Sequence, residues 1–475
     1  MRTLTISNIA SKRAQLSLGQ KSKSLMAGWG LIAAALVFTV EIFISPGQTF
    51  NWYLFYLSTP FLLGIFLWKS SSPVKAIPLP IFIPLSMAGV GVMGFLQNQQ
   101  PRDAMVQNMV FQFKIADDVA LETLRVYFVV SVYLLVFALM TFRSQFLKIT
   151  INNGFDIKEH QPDQAEQNKG YVWLSLLSVS LYIQQVGLRN LIYRDTYIDV
   201  NNHIQSRSLV NLLFVVQITL IGICAWKFDE SVSSTRTLFR LILFGFVLEG
   251  FADGSRVGAI YILIWCFLTY VKNPKKIRAG ILLLSFPTSI LFCNLMVWFR
   301  SKPFHGLLPQ LNYLRDFPWS SASEWYTTNV GSYSFNITAY AAYLAPKLPT
   351  SSFWVSVNPL PGFLTNWYEI APSLRFNFYA PYTTIGELTN YGYLFLIAFS
   401  LILGSLIGYG SFSLVFAHNW RKSILPAALF GSTVITLALS LQYNLRSTSR
   451  FLIISIIFGF LLSIARKPSS LGDRK

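Results

Sequence analysis

Long apolar runs bounded by short polar or basic segments recur along the chain, at residues 25–45, 51–68, 77–97, 120–142, 170–191, 208–227, 237–252, 256–271, 279–299, 391–416, 423–442 and 450–466. A membrane-crossing helix needs about 20 predominantly apolar residues, so the pattern predicts an all-α, polytopic integral membrane protein with about twelve spans. The closest pair of runs, across 237–271, is separated only by Ala252-Asp253-Gly254-Ser255. The organisation follows: a polar tail at 1–24, helices over 25–299, a mixed segment at 300–390, further helices over 391–466 and a basic tail at 467–475. The first apolar run lacks a small-x-small cleavage site, which predicts a retained signal-anchor.

Basic residues fix the expected orientation. Arg2, Lys12 and Arg13 precede the first run, Lys69 and Lys75 follow the second, and Lys272, Lys275, Lys276 and Arg278 follow the eighth. Arg421 and Lys422, then Arg466 and Lys467, continue the alternation. Positive residues favour cytoplasmic loops, so both termini are expected inside and residues 300–390 outside, between spans nine and ten. That makes 300–390 a large outer loop on a multi-pass membrane protein, periplasmic if the membrane is the inner one that the resemblance below implies.

That segment is too aromatic for disorder, with Trp319, Trp325, Tyr326, Tyr333, Phe353, Trp354, Trp367, Tyr368 and Tyr382 among its rings. Pro346, Pro349, Pro359 and Pro361 argue against one long helix. Short helices are expected near 306–316 and 325–344. The rings would stack on sugars or line a membrane interface.

Composition agrees with the pattern. Mean hydropathy is +0.48, and charged residues make up 12% of the chain, against about 25% in soluble domains. The net charge of +18 sits in short loops, with no basic stripe along a polar segment, so nucleic acid is not expected as a partner. Cys224, Cys266 and Cys293 lie in apolar runs and read as core residues. His160, His203, His305 and His418 are scattered without ligand spacing, so neither a metal nor another cofactor is expected. No P-loop occurs.

Ionisable residues at span ends are the candidates for chemistry. Arg189, Arg256, Arg300, Arg446 and Arg450 all fall at expected outer ends, against the positive-inside bias. A guanidinium fork matches phosphate oxygens two at a time, which suits a lipid-linked diphosphate. The alternative is snorkelling, or ion pairing with Asp253 or Glu387. Glu387 precedes the tenth span, where a desolvated carboxylate is suited to accept a proton from a sugar hydroxyl. It is equally suited to complement a helix dipole or bridge to an arginine. Asp253, Asp316 and His305 are weaker candidates for the same role.

The stretches Asn358-Pro359-Leu360-Pro361-Gly362-Phe363, Ala380-Pro381-Tyr382-Thr383-Thr384-Ile385-Gly386-Glu387 and Asn390-Tyr391-Gly392-Tyr393-Leu394 resemble bacterial O-antigen polymerases and other oligosaccharide repeat-unit polymerases. Gly254-Ser255-Arg256 and the closing pair Arg446 and Arg450 resemble the family too, and the likeness covers roughly 240–450. It implies a glycosyltransferase with a GT-C-like architecture that polymerises undecaprenyl-diphosphate-linked repeat units into surface polysaccharide, without metal, at the outer face of the inner membrane. The same lipid-linked oligosaccharide would serve as donor and acceptor, with membrane lipids around it and a chain-length regulator and flippase as protein partners. Arg256, Arg300, Arg446 and Arg450 would hold the diphosphate, with Arg189 beside them on charge grounds, and Glu387 would be the base. His305 matches no motif of the family. An O-antigen ligase has similar architecture with a lipid A-core acceptor. A flippase or other transporter is the rival from another class, though its ionisable residues are expected midway along helices. A membrane scaffold is the remaining alternative.

Overall fold

A computed structural model describes residues 79–99, 115–152, 168–195, 207–272, 276–300, 302–317, 319, 333–360, 362–377, 380–416 and 420–464. The runs expected at 25–45 and 51–68 lie outside them. The described chain is almost wholly helical, and its strands, β1 (Arg375–Asn377) and β2 (Ala380–Pro381), form one short antiparallel pair. Two compact units are present: unit 1 holds 1–157 and 330–475, and unit 2 holds 158–329. The segment 300–390 is therefore shared between units, its first third in unit 2 and the rest in unit 1.

Unit 1 is built on α1 (Leu79–Asn98) and α2 (Asp117–Asn152). After the unit boundary come α10 (Tyr333–Ala339), α11 (Thr350–Val357), α12 (Trp367–Ile370), α13 (Thr384–Tyr391), α14 (Tyr393–Phe416), α15 (Trp420–Ser440) and α16 (Leu445–Ile464). Unit 2 comprises α3 (Asn168–Val186), α4 (Leu188–Ile192), α5 (Arg207–Lys227), α6 (Ser233–Asp253), α7 (Val257–Lys272), α8 (Lys276–Arg300) and α9 (Leu307–Tyr313). The run expected at 170–191 breaks at Gly187. The short helix expected at 306–316 is α9 with the tighter turn Leu314–Asp316; of the one expected at 325–344, residues 325–332 lie outside the described residues and the rest is α10 with the wider turn Tyr340–Leu344.

Among the described residues, three helices are long and apolar enough to cross a membrane: Asp117–Phe142 of α2, Gly280–Arg300 of α8 and Tyr393–Phe412 of α14. They are not equivalent. Protein covers 83% of the most apolar window of α2, against 43% for α8 and 44% for α14, so α2 is the interior helix of unit 1. Tyr127, Phe128, Leu134 and Leu135 on it are fully buried, and it packs on α1 and α14.

Within a bilayer, helix association relies on close packing more than on hydrophobic drive. Gly404 and Gly408, one turn apart on α14, supply that packing. A β-carbon on Gly404 would come within 2.7 Å of the Leu134 carbonyl oxygen, and one on Gly408 would collide with that of Ala138. Glycine here lets the backbone of α14 lie directly on α2.

In unit 2, α6 ends at Gly254, which takes a left-handed conformation (φ 71°, ψ 22°) and turns the chain into α7. Tyr182, Val186, Leu191, Leu213 and Ala252 form one core, with Leu307 packed against it. Phe292, Met296, Phe299 and Phe317 form a second, with Phe251 against it. An isolated antiparallel bridge joins Arg194 to His305, with both backbone hydrogen bonds at 2.9 Å.

Candidate functional site

The Gly-Glu element of unit 1 opens α13. Thr383 is its N-cap, and its hydroxyl accepts the Gly386 N–H at 3.0 Å. Gly386 presses against the helical segment before it: a β-carbon there would lie 2.8 Å from Ala341 Cβ and 2.9 Å from the Thr338 carbonyl oxygen. The next residue, Glu387, is fully buried.

Glu387 joins three elements. Its Oε1 accepts the Ser356 hydroxyl of α11 at 2.8 Å and the Tyr391 hydroxyl at 3.3 Å. Its Oε2 accepts the backbone N–H of Leu445, the first residue of α16, at 2.9 Å. The carboxylate thus stands in the first turn of its own helix and also caps the N-terminus of α16. Burial pushes its pKa from 4.5 up to about 7, partly offset by the Leu445, Ser356 and Tyr391 donors. Asn390, three residues on, accepts the Leu348 N–H at 2.8 Å and donates to the Ala341 carbonyl at 2.8 Å, which fixes the proline-bearing turn at 346–349.

Asn444 caps α16, its side-chain oxygen accepting the Ser447 N–H at 3.1 Å. On the first two turns of α16 sit Arg446 and Arg450, four residues apart and so on one face. Arg446 is 2% exposed. It donates to the carbonyls of Val355 at 2.6 Å and Leu360 at 2.7 Å and to the Thr365 hydroxyl at 2.9 Å. Its guanidinium carbon stands 4.6 Å from the centre of the Trp367 ring. Arg450 donates to the same Leu360 carbonyl. Burial, then the neighbouring Arg450, lowers the Arg446 pKa to about 10. Neither arginine has a carboxylate partner among the described residues, and the Nε–H of each is buried without an acceptor. The arginine-to-Glu387 bridge considered from sequence is not formed: Arg446 turns to loop carbonyls, and Glu387 to neutral donors.

The other predicted residues belong to unit 2. Arg300 donates to the Gly254 carbonyl at 3.3 Å. The Asp253 carboxylate lies within electrostatic reach of Arg300 and Arg194 and is hydrogen-bonded with Tyr182. Arg256 is half-buried at the start of α7, and its charge and that of Arg300 reach Cys293. Arg189 is exposed on α4. His305 is 2% exposed. Burial, then the Arg194 charge, lowers the His305 pKa to about 4, so its imidazole is neutral at pH 7. Asp316, the remaining base candidate, ends the turn after α9.

Sequence reasoning passed over Arg194 and Glu249. Arg194 is 4% exposed and donates to the carbonyls of Asn190, Ala252 and Asp253 at 3.1, 3.0 and 2.8 Å. Glu249 accepts from Gln217 at 2.9 and 3.1 Å, and Gln217 accepts from the Tyr261 hydroxyl at 2.6 Å. A lone acid inside an apolar run was the signal that marked Glu249. Among the described residues no group of His, Cys, Asp and Glu side chains is placed to hold a metal ion. Comparison of the chain with protein-family models, curated proteins and solved structures finds no match.

Proposed function

We propose that the chain is a polysaccharide polymerase of about twelve spans with both termini cytoplasmic, joining lipid-diphosphate-linked repeat units at the outer face of the inner membrane. An acceptor-sugar hydroxyl attacks the anomeric carbon of the donor glycan. The new glycosidic bond forms as the carbon–oxygen bond to the diphosphate breaks, the electron pair leaves on the diphosphate, and the hydroxyl proton passes to solvent. Charge develops on the leaving phosphates, where fixed cations stabilise it most. The single observation behind the assignment is the pair Arg446 and Arg450, held on one carbonyl with no carboxylate partner among the described residues.

Within this mechanism half-buried Arg450 contacts the diphosphate, and buried Arg446, held by Val355, Leu360 and Thr365, adds its charge from behind. Glu387 acts as a positioning residue, replacing the base role its sequence context implied, because its oxygens are buried and engaged. Arg256 and Arg300 share unit 2 with Asp253 and have a structural part, as does His305.

The test is complementation of a strain lacking the chain, with R446A and R450A at matched levels of folded protein. Core plus a single repeat unit is expected. Wild-type ladders from both variants overturn the assignment, and polymer retained on its carrier indicates a ligase instead. A second reading, transport of a lipid-linked sugar, draws on the Glu249, Gln217 and Tyr261 network between α5, α6 and α7, since buried acids inside membrane helices often mark transport routes. Movement of labelled substrate into liposomes without chain growth would establish it.

A further inference from the structure

Helix α11 is polar on the wrong side for a helix in water. Ser352 and Ser356 point inward, 6% and 0% exposed, while Trp354 stands 66% exposed on the outer face. The inward serines are used: Ser356 donates to Glu387, and its carbonyl accepts the Ser449 hydroxyl at 3.1 Å. The outer face continues into the next turns, where Phe363, Leu364 and Tyr368 are 73%, 60% and 70% exposed. A contiguous apolar ridge of this kind, left open to water, would be costly and would promote aggregation.

Three observations say what covers it. Phe353 of α11 packs its ring 4.4 Å from that of Phe395, at the start of the apolar stretch Tyr393–Phe412, so the ridge abuts the end of a helix fit to cross a bilayer. Leu360, whose side chain joins the ridge at 50% exposure, is the residue whose carbonyl holds both guanidiniums. Arg446, its guanidinium carbon 4.6 Å from the centre of the Trp367 ring, and Arg450, on the Leu360 carbonyl, put two cations beside the ridge. Apolar and aromatic side chains backed by cations match the interface of a leaflet of anionic lipid.

We infer that the segment from α11 to α12 is seated in the headgroup layer of an anionic lipid leaflet, with Trp354, Phe363, Leu364 and Tyr368 in its acyl region and Arg446 and Arg450 at the depth of the lipid phosphates. The seating stands independently of the polymerase assignment. Where that assignment holds, lipid-linked substrate reaches the arginine pair sideways from the bilayer instead of from the aqueous side.

The test is a depth measurement on the full chain, which reads the seating without reading activity. Spin labels are attached at F363C and, as a second position, Y368C, in a protein carrying Cys224→Ala, Cys266→Ala and Cys293→Ala. S373C, an exposed polar site in the same unit, is the water-facing control. In vesicles of phosphatidylglycerol and phosphatidylethanolamine, labels at 363 and 368 are expected to collide with oxygen and to be shielded about tenfold from a nickel chelate relative to 373. Phosphatidylcholine vesicles should reduce the shielding. Nickel accessibility at both positions equal to that at 373 overturns the seating. Shielding from both reagents with spin–spin broadening also overturns it, in favour of a second copy of the chain on the ridge.

Discussion

In unit 2, the Asp253 carboxylate lies within electrostatic reach of Arg194 and Arg300, which donate to the backbone carbonyls of Asp253 and Gly254. In unit 1, Arg446 and Arg450 are held just as firmly, but by the neutral carbonyls of Val355 and Leu360, and the nearby carboxylate turns its oxygens to hydroxyls and a helix end. Both arrangements order guanidiniums, yet only the second leaves their charge uncompensated. A cation matched by a resident acid is part of the scaffold, whereas one held by dipoles retains most of its field for an incoming anion. The two units therefore differ in whether a carboxylate stands within electrostatic reach of their ordered arginines.

The largest effect should come from breaking the matched set. Asp253→Ala removes the carboxylate within electrostatic reach of Arg194 and Arg300 and takes away the partner of the buried Tyr182 hydroxyl. Leaving a buried polar group without its partner typically costs about 1–3 kcal/mol. Unfolding of the purified protein in detergent should show that loss, while R450A, half-buried and with no acid to orphan, should cost less than about 1 kcal/mol. Equal losses from the two variants would erase the distinction between the units.

A pH-dependent effect of at most similar size isolates the acid of unit 1. Glu387 carries a pKa raised from 4.5 to about 7, so folding favours its neutral form. Its stabilising contribution is complete below about pH 4.5, declines as pH rises towards 7 and is flat above that. Glu387→Gln keeps an acceptor for the Leu445 N–H and removes the titration. Relative to E387Q, the wild type should lose up to about 3 kcal/mol between pH 4.5 and 7. Taking the difference cancels the opposite contribution of His305, whose lowered pKa removes stability as pH falls. Parallel stability curves for the two proteins would mean that the carboxylate stays ionised, paired with a cation after all.

How much of this was written in the sequence depends on the distance over which each interaction acts. Helices were legible because their signal is local: the run at 208–227 became α5, Arg207–Lys227, and the run at 279–299 became α8. The four-residue spacing of Arg446 and Arg450 was legible as one helix face for the same reason. The partners of Glu387 were not, since Ser356 and Leu445 lie 31 and 58 residues away. Nor could sequence choose between Arg189 and Arg194, which share one polar stretch. Arg194 is buried because its backbone pairs with His305, and Arg189 stays exposed on α4. Arg189, Arg256, Arg300, Arg446 and Arg450 were grouped as diphosphate ligands by their shared position at span ends. That reasoning fixes a depth along the membrane normal and says nothing of position around it, and the structure puts three in unit 2 and two in unit 1.

The smallest expected effect is the most specific. Inorganic diphosphate carries the two phosphates of the proposed leaving group without its lipid or sugar. A ligand that binds only the folded state at ten times its dissociation constant adds about 1.4 kcal/mol of stability. Titrating diphosphate should therefore raise the unfolding midpoint of the wild type modestly. R450A should abolish the rise because it removes half of the uncompensated pair, and R300A should keep it because Arg300 already sits beside Asp253. Added salt should weaken the rise, since exposed phosphate contacts are screened within about 10 Å at 0.1 M. A rise that survives R450A but disappears in R300A would reverse the assignment, making unit 2 the anion site and the carbonyl-held pair of unit 1 a structural clasp.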